Sequence, residues 1–233
     1  MGQYYMLVNL DKKQSMDPHA GMFQRGTQIS FSKYTSGAKM ADHLCNVGVK
    51  PLLALALISV NSIKDSPNPL WGSWAGDRVV LIGDYSDDLP EFLTEAEVSE
   101  LQFRGGNLYK QSYGEMAADS AAWFRGEDRL EDFVGPACLR HVFVNTDKKE
   151  FIDPYTFGHH EGFEQYFQDQ QGVMRGLFSC LFYSTGSGGG DISAFKQGRW
   201  AGDRLRLVKL AEAYDDDYKD VSHEVRKLVA KYE

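Results

Sequence analysis

Two short motifs, each present twice and in the same order, constrain this chain more than any other feature of its sequence. Residues 8–13 read V-N-L-D-K-K and return at 144–149 as V-N-T-D-K-K. Residues 74–78 read W-A-G-D-R and return unchanged at 200–204. A repeated five-residue identity that includes tryptophan is rare by chance, and self-similarity along a chain is the signature of duplicated structure. We therefore predict two diverged copies of one unit.

The positions of the motifs divide the chain. We predict a first unit at residues 1–102, a bridging segment with a helix at 103–137, and a second unit at 138–233. The stretch between the two motifs is longer in the first unit, and we place its extra residues in the polar loop 22–36. Small units bury a low fraction of their surface when alone, so we expect the two to pack together with pseudo-two-fold symmetry.

Hydrophobic patterning and turn chemistry predict that each unit is α+β. Gly76 and Asp77 suit a tight turn, and Thr94 with Glu97 forms a capping box that opens a helix. The predicted strands are 4–9, a short run ending at Pro18, 79–82, 140–145, 151–153 and 200–210. The predicted helices are 37–44, 49–60, 115–133, 161–168, 173–184 and 222–232, the third of which bridges the units.

Composition narrows the classes of function. Apolar residues make up 42% of the chain, which is enough for a packed core and argues against disorder. The net charge of −8 repels phosphate backbones and anionic lipid, so we predict neither a nucleic-acid partner nor a membrane partner. The three cysteines form no C-x-x-C pair, and the N-terminus lacks a secretory pattern. We therefore expect a soluble, cytoplasmic protein.

The motifs lie within longer stretches that resemble a family of uncharacterised proteins from fungal and bacterial genomes. That family begins with a G-Q-Y-Y-like strand and V-N-x-D-K-K-E, and later carries G-R-W-A-G-D-R followed by V-G-D-Y. The match departs at Ser73, where the second copy has Arg199. The resemblance implies the same repeat and brings no activity with it. The matching stretches are residues 2–5, 8–13, 72–78, 82–85, 144–150 and 198–204.

The two W-A-G-D-R segments are the sharpest candidates for a site. On the functional interpretation, their polar groups flank a pocket in which arginine clamps a carboxylate or phosphate. On the structural interpretation, tryptophan anchors the core, Gly-Asp makes a turn, and arginine pairs with a carboxylate of the protein. The predicted ligand-binding residues are Trp74, Asp77, Arg78, Trp200, Asp203 and Arg204.

Other polar patterns favour structural roles. The lysines of the two D-K-K segments lie in polar turns and are expected to be solvated. A catalytic lysine would need a desolvated site, so we do not expect one here. The Gly-rich segment 186–191 fits neither common phosphate-binding motif and reads as a surface loop. His159 and His160 lack the spacing of metal ligands, and residues 215–217 read as a solvated acidic turn. We therefore predict no metal and no cofactor.

The sequence leaves two function classes open. One is a non-catalytic binding, structural or assembly protein, acting as a homo-oligomer or with a protein partner. It is favoured because the shared residues look like turn and core residues. The alternative is a small-molecule enzyme with a polar site between the two units, built from the aspartates and arginines of the two W-A-G-D-R segments. The catalytic residues, if any, are not identified by the sequence.

Overall fold

The computed structural model describes residues 5–16, 72–83, 86, 89–100, 108, 141–153, 156, 179–183 and 197–230. Within these residues a mixed sheet and a few short helices make up the fold, so the α+β class is confirmed in this general form. The predicted helices at 37–44, 49–60, 115–133 and 161–168 lie outside the described residues. So do the loop 22–36, the Gly-rich segment 186–191, and His159 with His160.

Eight strands and four helices are placed within the described part of the chain. The strands are β1 Tyr5–Asn9, β2 Gln14–Met16, β3 Arg78–Gly83, β4 His141–Asn145, β5 Glu150–Ile152, β6 Phe182–Tyr183, β7 Asp203–Lys209 and β8 Lys219–Asp220. The helices are α1 Glu95–Glu100, α2 Ser179–Leu181, α3 Leu210–Asp215 and α4 Ser222–Ala230.

The strands form one sheet in the order β2-β1-β3-β7-β4-β5-β8, and β6 also pairs with β3. β1 is antiparallel to β2 and β3, and β4 is antiparallel to β5 and β7. The two groups of three strands meet where β3 runs antiparallel to β7, with Arg78 opposite Arg204 and Val79 opposite Asp203. We call this meeting place the β3–β7 junction. It brings the two W-A-G-D-R segments next to each other.

The core lies against this sheet. All of β3 after its first residue is buried, which explains why residues 79–82 form a continuous apolar run rather than an alternating one. One apolar cluster crosses the junction, since it combines residues of β1 and β3 with Tyr183 and Ala201 of the second half. A second cluster lies between β4, β5, β7 and α3, and it consists of Val142, Val144, Phe151, Val208 and Ala213, with Tyr218 packed against it.

Local sequence signals predicted several elements correctly. β1, β3 and β4 fall within one residue of their predicted bounds at each end. The capping box is confirmed: the Glu97 backbone N–H donates to Thr94 Oγ1 at 3.2 Å, and the Thr94 N–H donates to Glu97 Oε2 at 2.8 Å. These bonds satisfy two backbone donors at the start of α1, which would otherwise have no partner within the helix.

Two stretches differ from the prediction. The predicted helix at 173–184 is helical only at α2 among its described residues, and the chain then enters β6, which pairs with β3. The predicted strand at 200–210 begins at Asp203, because residues 200–202 form a turn, and it ends where α3 begins. Pairing with a distant strand overrode local propensity in the first case. Helix α3 was not predicted.

The acidic run at 215–217 is exposed, as predicted, and its turn at 216–217 closes α3. The Tyr218 N–H donates to Ala213 O at 3.0 Å and the Asp217 N–H donates to Tyr214 O at 3.2 Å, which is the Schellman pattern of a helix C-terminus. Asp217 takes the left-handed conformation, with φ of +58°. This position favours glycine, because a Cβ atom is strained there.

We expect Asp217→Gly to raise the free energy of unfolding by about 0.5–1 kcal/mol. The change relieves left-handed strain and removes a negative charge from the negative end of the helix dipole. Urea denaturation of the two proteins measures the difference. Asp216→Gly is the matched control, since it removes the same charge at a φ of −90°, where there is no left-handed strain to relieve. Equal effects of the two changes would contradict this account of the helix end.

Candidate functional site

Each W-A-G-D-R segment forms the same tight turn before its strand. The Asp77 N–H donates to Trp74 O at 3.1 Å, and the Asp203 N–H donates to Trp200 O at 3.0 Å. The third residue of each turn is a glycine with φ of +83°, as a type II turn requires. The turn predicted at Gly76 is thereby confirmed, and its glycine is explained by backbone conformation.

The side chain of Asn9 ties the first D-K-K turn to the first W-A-G-D-R turn. Asn9 is fully buried. Its Oδ1 accepts the Lys12 backbone N–H at 2.9 Å, and its Nδ2 donates to Asp77 Oδ2 at 2.7 Å. Lys12 Nζ lies 2.7 Å from the same carboxylate oxygen. One asparagine therefore supports a turn and orients an aspartate whose charge is balanced by a lysine.

The second half makes the same set of contacts. Asn145 is fully buried. Its Oδ1 accepts the Lys148 N–H at 2.9 Å, and its Nδ2 donates to Asp203 Oδ2 at 2.7 Å. Lys148 Nζ forms an ion pair with Asp203. Lys12 and Lys148 are exposed, as expected of the D-K-K lysines, and each also neutralises the aspartate of its neighbouring turn.

Both tryptophans anchor the core, as the structural interpretation predicted. Trp74 and Trp200 are among the largest fully buried side chains of the described residues. The Trp74 Nε1–H donates to Gln14 Oε1 at 2.8 Å, whereas the Trp200 Nε1–H donates to Glu150 Oε2 at 2.9 Å. A buried indole needs such an acceptor. The acceptor is neutral in the first half and charged in the second.

The charged acceptor belongs to a network that the sequence analysis missed. Arg199 holds both carboxylate oxygens of Glu150, with Nε donating to Oε2 at 2.8 Å. Arg199 NH1 also donates to Glu224 Oε2 at 2.9 Å, and Lys219 Nζ donates to Glu224 Oε1 at 2.9 Å. A sequence signal for this network existed. Arg199 precedes the second W-A-G-D-R segment where Ser73 precedes the first, and Glu150 follows the second D-K-K segment where Gln14 follows the first.

Arg78 is held by carboxylates of the first half. The Arg78 backbone N–H donates to Asp11 Oδ2 at 3.0 Å, and its Nε lies 3.2 Å from Asp11 Oδ1. Its NH2 donates to Glu97 on α1. Only 14% of the Arg78 side chain is exposed. The guanidinium therefore fixes the turn after β1 and the start of α1 to the junction.

Arg204 lies opposite Arg78 in the sheet but is held much more loosely. Its backbone N–H donates to Asp147 Oδ2 at 2.8 Å. Its guanidinium, however, is 3.5 Å from Asp147 Oδ1 and 4.0 Å from Asp11 Oδ2, and 47% of the side chain is exposed. These separations exceed hydrogen-bond length. Arg204 is thus the most open of the six predicted ligand-binding residues.

The polar groups of the two motifs thus separate into two kinds. Asp77 and Asp203 each bind the asparagine and lysine of the D-K-K turn in their own half. The two arginines instead lie side by side at the β3–β7 junction. The ligand-binding role of the six residues stays a prediction, and Arg204 is where the geometry leaves donor groups accessible.

Burial and hydrogen bonding shift the pKa of Glu150 in opposite directions. Burial raises the pKa of this carboxyl, but hydrogen bonds from Arg199 and Trp200 outweigh the effect and hold the pKa below its ordinary value of 4.5. Glu97 behaves in the same way: burial raises its pKa, while hydrogen bonds from Thr94 and Arg78 lower it further than burial raises it. Both carboxylates are therefore stabilised in the charged form.

Acid is expected to remove this stabilisation. A carboxyl whose folded pKa is depressed contributes stability above its unfolded pKa and loses the contribution as pH falls through the folded pKa. The loss for Glu150 therefore lies below about pH 4.5. We expect the difference in unfolding free energy between the wild type and Glu150→Gln to shrink from pH 6 to about pH 3. Urea denaturation at several pH values measures it.

The control for this pH dependence is Glu212→Gln, since Glu212 is exposed on α3 and has no ion pair among the described residues. A difference between wild type and Glu150→Gln that stays constant with pH would contradict the account of Glu150.

Outside the two motifs the described residues offer little chemistry. His141 is buried on β4, and the Asp153 backbone N–H donates to Ser222 Oγ of α4 at 2.8 Å. No group of three or more histidine, cysteine, aspartate or glutamate side chains in the described ranges is arranged to hold a metal ion. No helix within those ranges has the length and apolar character needed to cross a bilayer.

The chain matches no protein-family model, no curated protein and no solved structure.

Proposed function

We propose that residues 1–102 and 138–233 are diverged copies of one α+β unit, related by a pseudo-two-fold axis at the β3–β7 junction. The backbone bonds across the junction support this. Gly76 N–H donates to Leu205 O at 2.7 Å, and Gly202 N–H donates to Val79 O at 3.0 Å. Gly76 and Gly202 hold the same position in the two W-A-G-D-R segments, and Val79 and Leu205 each directly follow one of them. Each bond therefore becomes the other when the two segments are interchanged. The axis then passes between Arg78 and Arg204.

We further propose that the protein is a non-catalytic binding or assembly module. The observation that carries this proposal is the internal use of the shared polar groups. Asp77 is engaged by Asn9 and Lys12, and Asp203 is engaged by Asn145 and Lys148. General acids, bases and nucleophiles must reach a substrate. Carboxylates committed to turn and lysine contacts within their own half serve stability instead.

The alternative is a small-molecule enzyme with its site between the units. One observation favours it: Arg78 and Arg204 lie side by side at the junction, with Asp11 within 4.0 Å of both guanidinium groups. An enzyme built there would need a reactive group beyond these arginines and aspartates. The assembly proposal is preferred because it requires nothing more than the contacts already described.

Native mass spectrometry of the full chain, purified from its source, tests the two proposals together. We expect a complex with a protein partner or with further copies of the chain, and no small-molecule adduct. A stoichiometric small-molecule adduct that is lost in Arg204→Gln would overturn the assembly proposal in favour of the enzyme. A bare monomer, observed under gentle ionisation and at low salt, would also count against assembly.

A further inference from the structure

Arg78 and Arg204 occupy paired positions in the sheet and have different surroundings. We propose that Arg204 is a receptor for a carboxylate from another molecule, which takes the position that Glu97 takes at Arg78. The inference rests on the proposed equivalence of the two units. It names the chemical class of ligand that the binding module would accept and the residue that would accept it.

The first unit provides the precedent. Asp11 Oδ1 lies 3.2 Å from Arg78 Nε, which makes no hydrogen bond among the described residues, and Arg78 NH2 donates to Glu97 of α1. Two carboxylates thus share one guanidinium, which is the planar, multidonor geometry that arginine offers. The Glu97 side chain is fixed in turn by the capping box with Thr94. In this unit, Arg78 is therefore occupied by carboxylates of its own chain.

In the second unit, the corresponding helix α4 places no described carboxylate within ion-pair distance of Arg204. Glu224 stands at the third residue of α4, as Glu97 does in α1. Arg199 NH1 and Lys219 Nζ both bind Glu224 at 2.9 Å. Because position 73 in the first unit is serine, Glu97 meets no such competitor there and pairs with Arg78 instead. The change from serine to arginine therefore draws the helix carboxylate away from the junction.

The remaining contacts of Arg204 leave its outer donors accessible. Among the described residues its guanidinium is approached by Asp147 at 3.5 Å and Asp11 at 4.0 Å, and it makes no side-chain hydrogen bond. Nearly half of the side chain is exposed, against about a seventh for Arg78. A planar arginine with open N–H groups binds carboxylates through two parallel hydrogen bonds.

Local charge selects a carboxylate over a phosphate. Arg204 already has Asp147 at 3.5 Å and Asp11 at 4.0 Å, so one carboxylate ligand adds a single negative charge to this site. A phosphate dianion would place a further negative charge next to Asp147 and Asp11. Like charges at such short range are unfavourable where they are incompletely screened. The fitting ligand carries a single carboxylate, on a small molecule or on a glutamate or aspartate side chain of a partner.

Arginine-detected NMR of the full chain tests this site. The Nε–Hε resonance of Arg204 is followed while acetate, or the peptide acetyl-Gly-Glu-Gly-amide, is added at constant ionic strength. Exposed ion pairs contribute little, so binding of an isolated carboxylate should be weaker than about 1 mM. We expect a saturable shift at Arg204 and none at Arg78. A stronger response to the peptide assigns the carboxylate to a protein side chain, and an equal response to acetate shows that the carboxylate group alone is recognised.

Two variants keep the test decisive. Arg204→Lys retains the charge and should weaken binding at least several-fold, because it lacks the planar pair of donors. Arg226→Gln, on the exposed face of α4, should leave the shift at Arg204 unchanged. The inference is overturned if chloride or phosphate produces the same shift as acetate. It is also overturned if the Nη groups of Arg204 are already as protected from solvent exchange as those of Arg78. Neither outcome affects the matched junction bonds, so the duplicated fold would stand.

Discussion

Replacing Gly202 by alanine is expected to lower the free energy of unfolding by about 2–5 kcal/mol, the largest effect of any single substitution considered for this protein. Two causes add. Gly202 has a φ of +83°, where a Cβ atom costs about 1–2 kcal/mol. A Cβ atom there would also lie 2.5 Å from Phe92 Cγ and 2.7 Å from Phe92 Cβ. Urea denaturation of the two proteins measures the loss.

Phe92 cannot easily yield to the added methyl group. It packs against the cluster that crosses the junction, and its ring meets Tyr183 edge to face at 5.3 Å. The clash involves the near end of the side chain, so a change of rotamer cannot relieve it. Overpacking of this kind costs about 1–3 kcal/mol.

The first W-A-G-D-R segment supplies the matched control. Gly76 has the same φ of +83°, and a Cβ atom built there meets nothing within 4 Å. Gly76→Ala should therefore cost only the backbone strain, about 1–2 kcal/mol. In a Phe92→Ala background, Gly202→Ala should cost less than it does in the wild type, because the ring atoms of the clash are gone. Equal losses for the two glycine variants would show that the contact with Phe92 does not constrain Gly202.

Arg199→Ser is expected to lower the free energy of unfolding by about 2–3 kcal/mol. The variant leaves the Glu150 carboxylate with the Trp200 indole as its remaining described donor, while only 12% of the glutamate side chain is exposed. Breaking a buried ion pair costs about 3–5 kcal/mol, and the smaller figure expected here reflects the partial exposure of Arg199.

Adding Glu150→Gln to Arg199→Ser should restore most of the lost stability, to within about 1 kcal/mol of the wild type. The double variant reproduces the arrangement in the first half of the chain, where Gln14 accepts the Trp74 indole N–H at 2.8 Å and position 73 is serine. A double-mutant cycle from urea denaturation, with the exposed Arg226→Ser as control, measures the coupling. Strictly additive losses would mean that the paired differences at these two positions are energetically independent.

Much of the local structure could be read from the sequence, because its causes lie within a few residues. The Thr94 capping box, the turn at Gly76 and the buried apolar run of β3 each depend on neighbours in the chain. The recurrence of the two motifs pointed to residues with structural duties. The aspartates and tryptophans of those motifs indeed make turn and core contacts in both halves.

Which side chains form ion pairs with each other could not be predicted from the local sequence. Arg78 and Arg204 have identical neighbours within their motif, yet one is nearly enclosed by Asp11 and Glu97 and the other is half exposed. Glu97 binds Arg78, whereas Glu224, at the same position of α4, is held by Arg199, which lies 25 residues away from it in the chain. Likewise the ion pair between Lys12 and Asp77 forms only because the sheet brings the two turns together.

The sequence by itself determined which segments become turns, caps and buried strands, because backbone conformation and periodic burial act over short separations. Only the tertiary structure decided that β3 pairs with β7, that one arginine of the pair is enclosed while the other is open, and that residues 182–183 form a strand rather than the end of a helix. These outcomes depend on packing and ion pairing between residues far apart in the chain. For such residues, the loss of chain entropy is offset only when many contacts form together.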